Sequence, residues 1–121
     1  MEQPKYDLED TLVKVAILIL EVCDLLPGSK AGNNLEHQLS RSGTFPALLY
    51  GEVQAAESRA DFIHKMKILL KQLRETRIIL SIVCEKPLIK NQKIEVALKE
   101  CNELIGIFSK SIQTAKANAV K

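Results

Sequence analysis

Tryptophan is missing from this chain of 121 residues, and aromatic side chains make up only 4% of it. Glycine and proline are sparse, at five and four copies. Sandwiches and barrels need frequent turns and draw on aromatic and β-branched residues, so an aliphatic, rarely punctuated chain points to helices. Cysteine is scarce as well: Cys23, Cys84 and Cys101 are an odd number, far apart, with no C-x-x-C pair. That spacing argues against a disulfide framework and against a zinc site. All three fall within helical apolar patterns and read as reduced core thiols, which suits the cytoplasm. The longest apolar run, Val15 to Leu20, is far short of a bilayer span, so no membrane partner is expected. The opening Met-Glu-Gln-Pro-Lys-Tyr-Asp is polar and acidic, unlike a secretory signal. No P-loop, G-x-G-x-x-G or G-x-S-x-G motif occurs, so neither a phosphate-cradling loop nor a hydrolase elbow is on offer.

What is present is ordinary for a folded domain: 46% hydrophobic and 26% charged residues. The length fits one domain, 1–121, with a single core. The net charge of +2 hides an asymmetry. Residues 1–57 hold four basic side chains against nine acidic ones, and residues 58–121 hold thirteen against six. Two halves of opposite sign attract each other within one small body; a basic surface for an anionic partner is the second reading.

Punctuation divides the chain into four helices, at about 7–26, 34–56, 59–85 and 91–116. Asp7 caps the first, with Asp10 in its first turn, where negative charge suits the helix dipole. Its middle, Val15-Ala-Ile-Leu-Ile-Leu20, is apolar around most of the circumference, which implies burial on two sides, by neighbouring helices or by another subunit. Asn33 or Asn34 is the expected cap of the second helix, and Pro46 should kink it or break it in two. Ser58-Arg-Ala-Asp61 is a capping-box pattern that opens the third, and Lys86-Pro87 stops it. The tail from Ala117 to Lys121 should fray.

Phe62, Met66, Leu69, Leu73, Thr76, Leu80 and Val83 advance by alternating fours and threes, as do Ile94, Leu98, Cys101, Ile105, Phe108, Ile112 and Ala115. Such rows are buried seams between nearly antiparallel helices. Long helices with short loops then give an all-α, up-down-up-down antiparallel four-helix bundle.

Opposite the third-helix seam, His64, Lys67, Lys71 and Arg74 form an exposed basic column. A solvated or subunit-contacting face is the first reading. A phosphate-contacting stripe, joined by Arg59, is the second, since phosphate contacts need only positive charge at helical intervals. No aromatic lies within the column to stack a base. Ile78 and Ile82 continue the outer face past Arg74, with Ile63 and Leu70 beside it, and aliphatics on both sides of one helix suggest a contact outside the bundle. Asp61 lies three residues before His64, a spacing that suits a structural Asp–His contact, and two ligands are too few for a metal. No catalytic, cofactor-binding or metal residues are therefore assigned.

Leu39-Ser-Arg-Ser-Gly-Thr44, then Glu52, then the block from Ala56 to Thr76 with Arg59-Ala-Asp-Phe-Ile-His-Lys-Met-Lys and Leu73-Arg-Glu-Thr76, resemble the 23S rRNA intervening sequence protein family. The match is dense over about residues 35–83. Where that family often carries an Asn, this chain has Leu49, within Phe45-Pro-Ala-Leu-Leu49. Glu52 is retained, and the resemblance suggests a pairing with Arg41, Lys71 or Arg74. It also implies a four-helix bundle that assembles as a ring, often a pentamer, of undefined biochemical role. A related, more basic accessory protein of diversity-generating retroelements binds nucleic acid and a reverse transcriptase. The expectation is a non-enzymatic, cytoplasmic, homo-oligomeric binding or scaffold protein without a cofactor. The alternative is an RNA- or DNA-binding module using Arg59, His64, Lys67, Lys71 and Arg74.

Overall fold

The computed structural model describes residues 7–119. Within them the chain folds into four helices: α1 Leu8–Leu25, α2 Lys30–Gln54, α3 Arg59–Glu85 and α4 Gln92–Ala119. Each packs on its neighbour in sequence, and α4 returns to α1, so the helices stand in a square with an up-down-up-down path. The diagonal pairs make no backbone approach. They meet only through long side chains in the core, as where the rings of Tyr50 and Phe108 touch edge to face, 5.9 Å between centroids.

Local chemistry sets the helix starts. The Asp7 side chain accepts from the Asp10 amide at 3.0 Å, and Ser58 Oγ accepts from the Asp61 amide at 3.0 Å. The Asp61 carboxylate completes a variant capping box by accepting from the Glu57 amide, 3.2 Å away, one residue upstream of the cap. The second helix starts four residues earlier than residue 34. Its cap is Ser29, which accepts from the Gly32 amide at 3.1 Å, so Asn33 and Asn34 lie inside the first turns. A Cβ at Gly32 would run into the Pro27 carbonyl oxygen; the glycine lets the helix start fold back on the end of α1. Pro46 does not split α2, which runs through it without a break. The imino nitrogen lacks one intrahelical bond, and the ring lies buried on the core side. At the other end, α4 continues to Ala119, past residue 116; residues 120 and 121 of the tail expected to fray lie outside the described ones.

The core follows the two expected seams. Met66, Leu69, Leu73, Thr76, Leu80 and Val83 of α3 are all buried, with Phe62 half-buried at the lower end. On α4, Ile94, Cys101, Phe108 and Ile112 are buried, and Ala97 and Leu104 join them, whereas Leu98, Ile105 and Ala115 are half-buried. The α4 stripe is rotated because this helix faces α1 as well as α3. From α1 come Leu12, Val15, Ile19, Val22 and Cys23, and from α2 come Leu39, Leu49 and Val53. Leu49, which stands where the resemblance leads one to expect an Asn, is an ordinary core residue. Gly43 lets α1 and α2 approach closely: a Cβ there would sit 2.5 Å from Ile19 Cγ2. Among the described residues the buried polar side chains are Ser42 and Thr76, whose hydroxyls lie 3.0 Å apart across α2 and α3.

Candidate functional site

Three surface features are candidates, and each depends on how the helices are set against one another. The first is the basic column. His64, Lys67, Lys71 and Arg74 are all exposed on the outer side of α3. None has an ion-pair partner among the described residues; the pairs present are Lys14–Asp10, Lys65–Asp61 and Lys93–Glu21. Arg59 is also exposed but stands apart from the other four, since it faces a groove shared with α4. In its place the fold brings Lys116 of α4 beside Lys67, close enough that the Lys67 charge pushes the Lys116 ammonium below its usual pKa. Lys116 was not legible as a neighbour, because its approach to Lys67 depends on the α3–α4 register.

Asp61 and His64 are not hydrogen-bonded to each other. The Asp61 carboxylate takes the Glu57 amide and Lys65 Nζ, the latter at 3.2 Å. The amide hydrogen bond first, and then Lys65, hold its pKa below the usual carboxylate value. Lys65, at i,i+4, takes the carboxylate, although His64 at i,i+3 lies on the same side of the helix. Glu52 is exposed and pairs with none of Arg41, Lys71 or Arg74 among the described residues. Among the described residues no group of three or more His, Cys, Asp or Glu side chains could hold a metal ion. No helix among them is long and apolar enough to cross a membrane.

Burial, rather than a neighbouring base, governs the thiols. Desolvation pushes Cys23 up to about 11 and Cys101 up to about 12. Both point at carbonyl oxygens, Cys101 at Leu73 O (3.2 Å) and Cys23 at Glu36 O (3.7 Å). Thiols held protonated at neutral pH are not nucleophiles. Cys84 is free and half-buried, so it belongs only partly to the core.

The second feature is a pair of apolar strips. Val13, Ile17 and Leu20 share one face of α1 and are 43%, 52% and 45% exposed. On α3, Ile78 and Ile82 are 49% and 47% exposed and line a shallow depression with Ser81, Glu85 and Lys86. As α1 and α3 are diagonal partners, their outer faces look out from opposite sides of the bundle. The apolar girdle of the first helix is therefore half core and half surface.

The third is a groove of about 660 Å³ at the lower end of α3 and α4. Phe62, Ile107 and Ala115 form its apolar part; Arg59 and Lys110 bring positive charge; Ser111, Thr114 and Asn118 bring polar groups. Among the described residues α1, with 18 residues, is shorter than α4, with 28, and does not reach this end of α4. Near the top the two are tied by Lys93 Nζ to Glu21 Oε1, 3.3 Å apart. Stepping down both antiparallel helices from that pair brings Leu8 level with about Gly106. Every α4 residue that lines the groove lies beyond that level.

Comparison with solved structures finds a likeness over most of the chain. The chain is similar to a protein of unknown function from the S23 ribosomal protein family of Bacteroides thetaiotaomicron, with 27% sequence identity and a TM-score of 0.78. The likeness covers 86% of this chain and 96% of that one. A solved fold thus bears out the resemblance to the rRNA intervening sequence proteins. No family model and no curated protein matches the chain.

Proposed function

We propose that the protein is a non-enzymatic binding or scaffold protein that works as a homo-oligomeric ring. The observation that carries this reading is the pair of unlike apolar strips on opposite sides of the bundle, Val13, Ile17 and Leu20 on α1 and Ile78 with Ile82 on α3. A single exposed aliphatic needs no explanation, but aligned sets at helical spacing suggest a covered surface. Two different strips on opposite sides favour a head-to-tail contact, in which the α1 strip of one copy lies in the α3 depression of the next. Such contacts close into rings when the rotation allows. A pentamer is the number that the family resemblance suggests. The test is the native mass of the purified protein at low and at physiological salt. A discrete oligomer that dissociates in Ile17→Asp, with helix content kept, is expected. A monomer at all concentrations sinks the ring.

A second reading is supported by the unpaired column of His64, Lys67, Lys71 and Arg74, which Lys116 widens across to α4. In a ring that column is repeated, and weak phosphate contacts gain from high effective concentration. RNA is the natural first probe, given the ribosomal name of the similar protein's family. Binding should fall steeply as salt rises and be lost in Lys67→Glu plus Lys71→Glu. Binding that survives both changes rules the column out.

A further inference from the structure

The groove at the lower end of α3 and α4 is separate from both strips and from the basic column. We infer that it is a binding site for a small amphiphilic anion, an apolar or aromatic body that carries one carboxylate, sulfonate or phosphate group. Its size, about 660 Å³, lies within the range of roughly 300–1,000 Å³ for small-molecule sites. The composition is that of such sites too: an apolar floor with a few convergent polar groups. Phe62 and Ile107 are half-exposed there, and among the described residues α1 does not extend over them. A ligand body that covers them recovers the burial that α1 gives the rest of the core.

Charge complementarity selects the sign of the head group. Arg59 and Lys110 both line the groove, and no Asp or Glu lines it among the described residues. Neither cation has an ion-pair partner among the described residues. Arg59 lies in the first turn of α3, where the helix N-terminus adds partial positive charge. Thr114 and Asn118 lie on the same side of α4 and can donate to a bound oxygen. A neutral apolar ligand would leave these groups unused, and a cation would be repelled.

The test is calorimetric titration of the full-length protein with decanoate below its micelle concentration, and with 1-decanol as the neutral analogue. The expected result is saturable binding of decanoate at one per chain, with decanol at least tenfold weaker. Arg59→Gln plus Lys110→Gln should lower decanoate affinity to the decanol level, and Thr114→Trp, which fills the groove from an exposed position, should abolish both. Helix content and thermal unfolding show that the variants fold. Absence of saturable binding, or binding that ignores these substitutions, overturns the site. Binding seen only after removal of residues 1–6 would assign the groove to the chain's own N-terminal segment and overturn it as well.

Discussion

The α2–α3 interface and the α1–α4 interface are built on different terms. The first runs between helices of 25 and 27 residues and is closed by a buried hydroxyl pair, Ser42 with Thr76. The second joins helices of 18 and 28 residues, and its specific polar link is the half-exposed Glu21–Lys93 pair. Long, matched helices bury their seams within one chain. Mismatched ones leave core residues at the surface, and here that produces the groove beside Phe62. The segments with the dense family resemblance are those of the matched pair. The two aligned apolar strips lie on the shorter helix and on the outer face of α3, while Phe45 and Leu48 leave exposed apolar surface on α2 as well.

The largest effect that tests this contrast is expected at Phe108, which is fully buried and meets Tyr50 across the core. Phe108→Ala should cost about 3–5 kcal/mol in chemical denaturation. A much smaller loss would mean that the lower core is as loosely closed as the groove beside it. Thr76→Val comes next, with a loss of about 1–3 kcal/mol, because it strands the buried Ser42 hydroxyl. Adding Ser42→Ala should recover most of that loss, and a double-mutant cycle without coupling would remove the polar pair from the account of the α2–α3 interface.

Gly43→Ala asks what holds α1. Its Cβ would press on Ile19, which has no exposed surface, so overpacking of about 1–3 kcal/mol should outweigh a gain of roughly 1 kcal/mol in helix propensity. Unchanged or higher stability would show that the α1–α2 contact yields easily. Lys93→Ala should be the mildest change, under about 1 kcal/mol, since both partners of the pair are half in solvent. A larger loss would make the α1–α4 link a stronger tie than its exposure suggests.

Much of the bundle was legible because its signals are local. The caps at Asp7 and Ser58 act within one turn, and the α3 seam from Met66 to Val83 follows from the helical period alone. The start of α2 is not legible because Ser29, Asn33 and Asn34 are all good cap types, so cap preference does not choose among them, and Gly32 looks like a loop. The reason for a glycine at that place, its approach to the Pro27 carbonyl, lies in the folded chain. The spacing of Asp61 and His64 suits a contact between them, but the lysine one residue further on takes the carboxylate. Periodicity groups Arg59 with the basic column, whereas in the fold it lines the groove with Lys110, and neither that nor the approach of Lys116 to Lys67 is legible, because which residues neighbour one another across two helices depends on their register.

By itself the sequence determined the helices, the faces that each must bury and the exposure of the column from His64 to Arg74, since these follow from periodicity and from capping chemistry within a turn or two. The tertiary structure decided which surfaces remained uncovered. That outcome depends on differences in helix length and on the square order of packing, and neither is written in any one helix. The strips on α1 and α3 stand on opposite sides because those helices are diagonal, and among the described residues α1 starts about three turns too high to cover the foot of α4, where the groove lies.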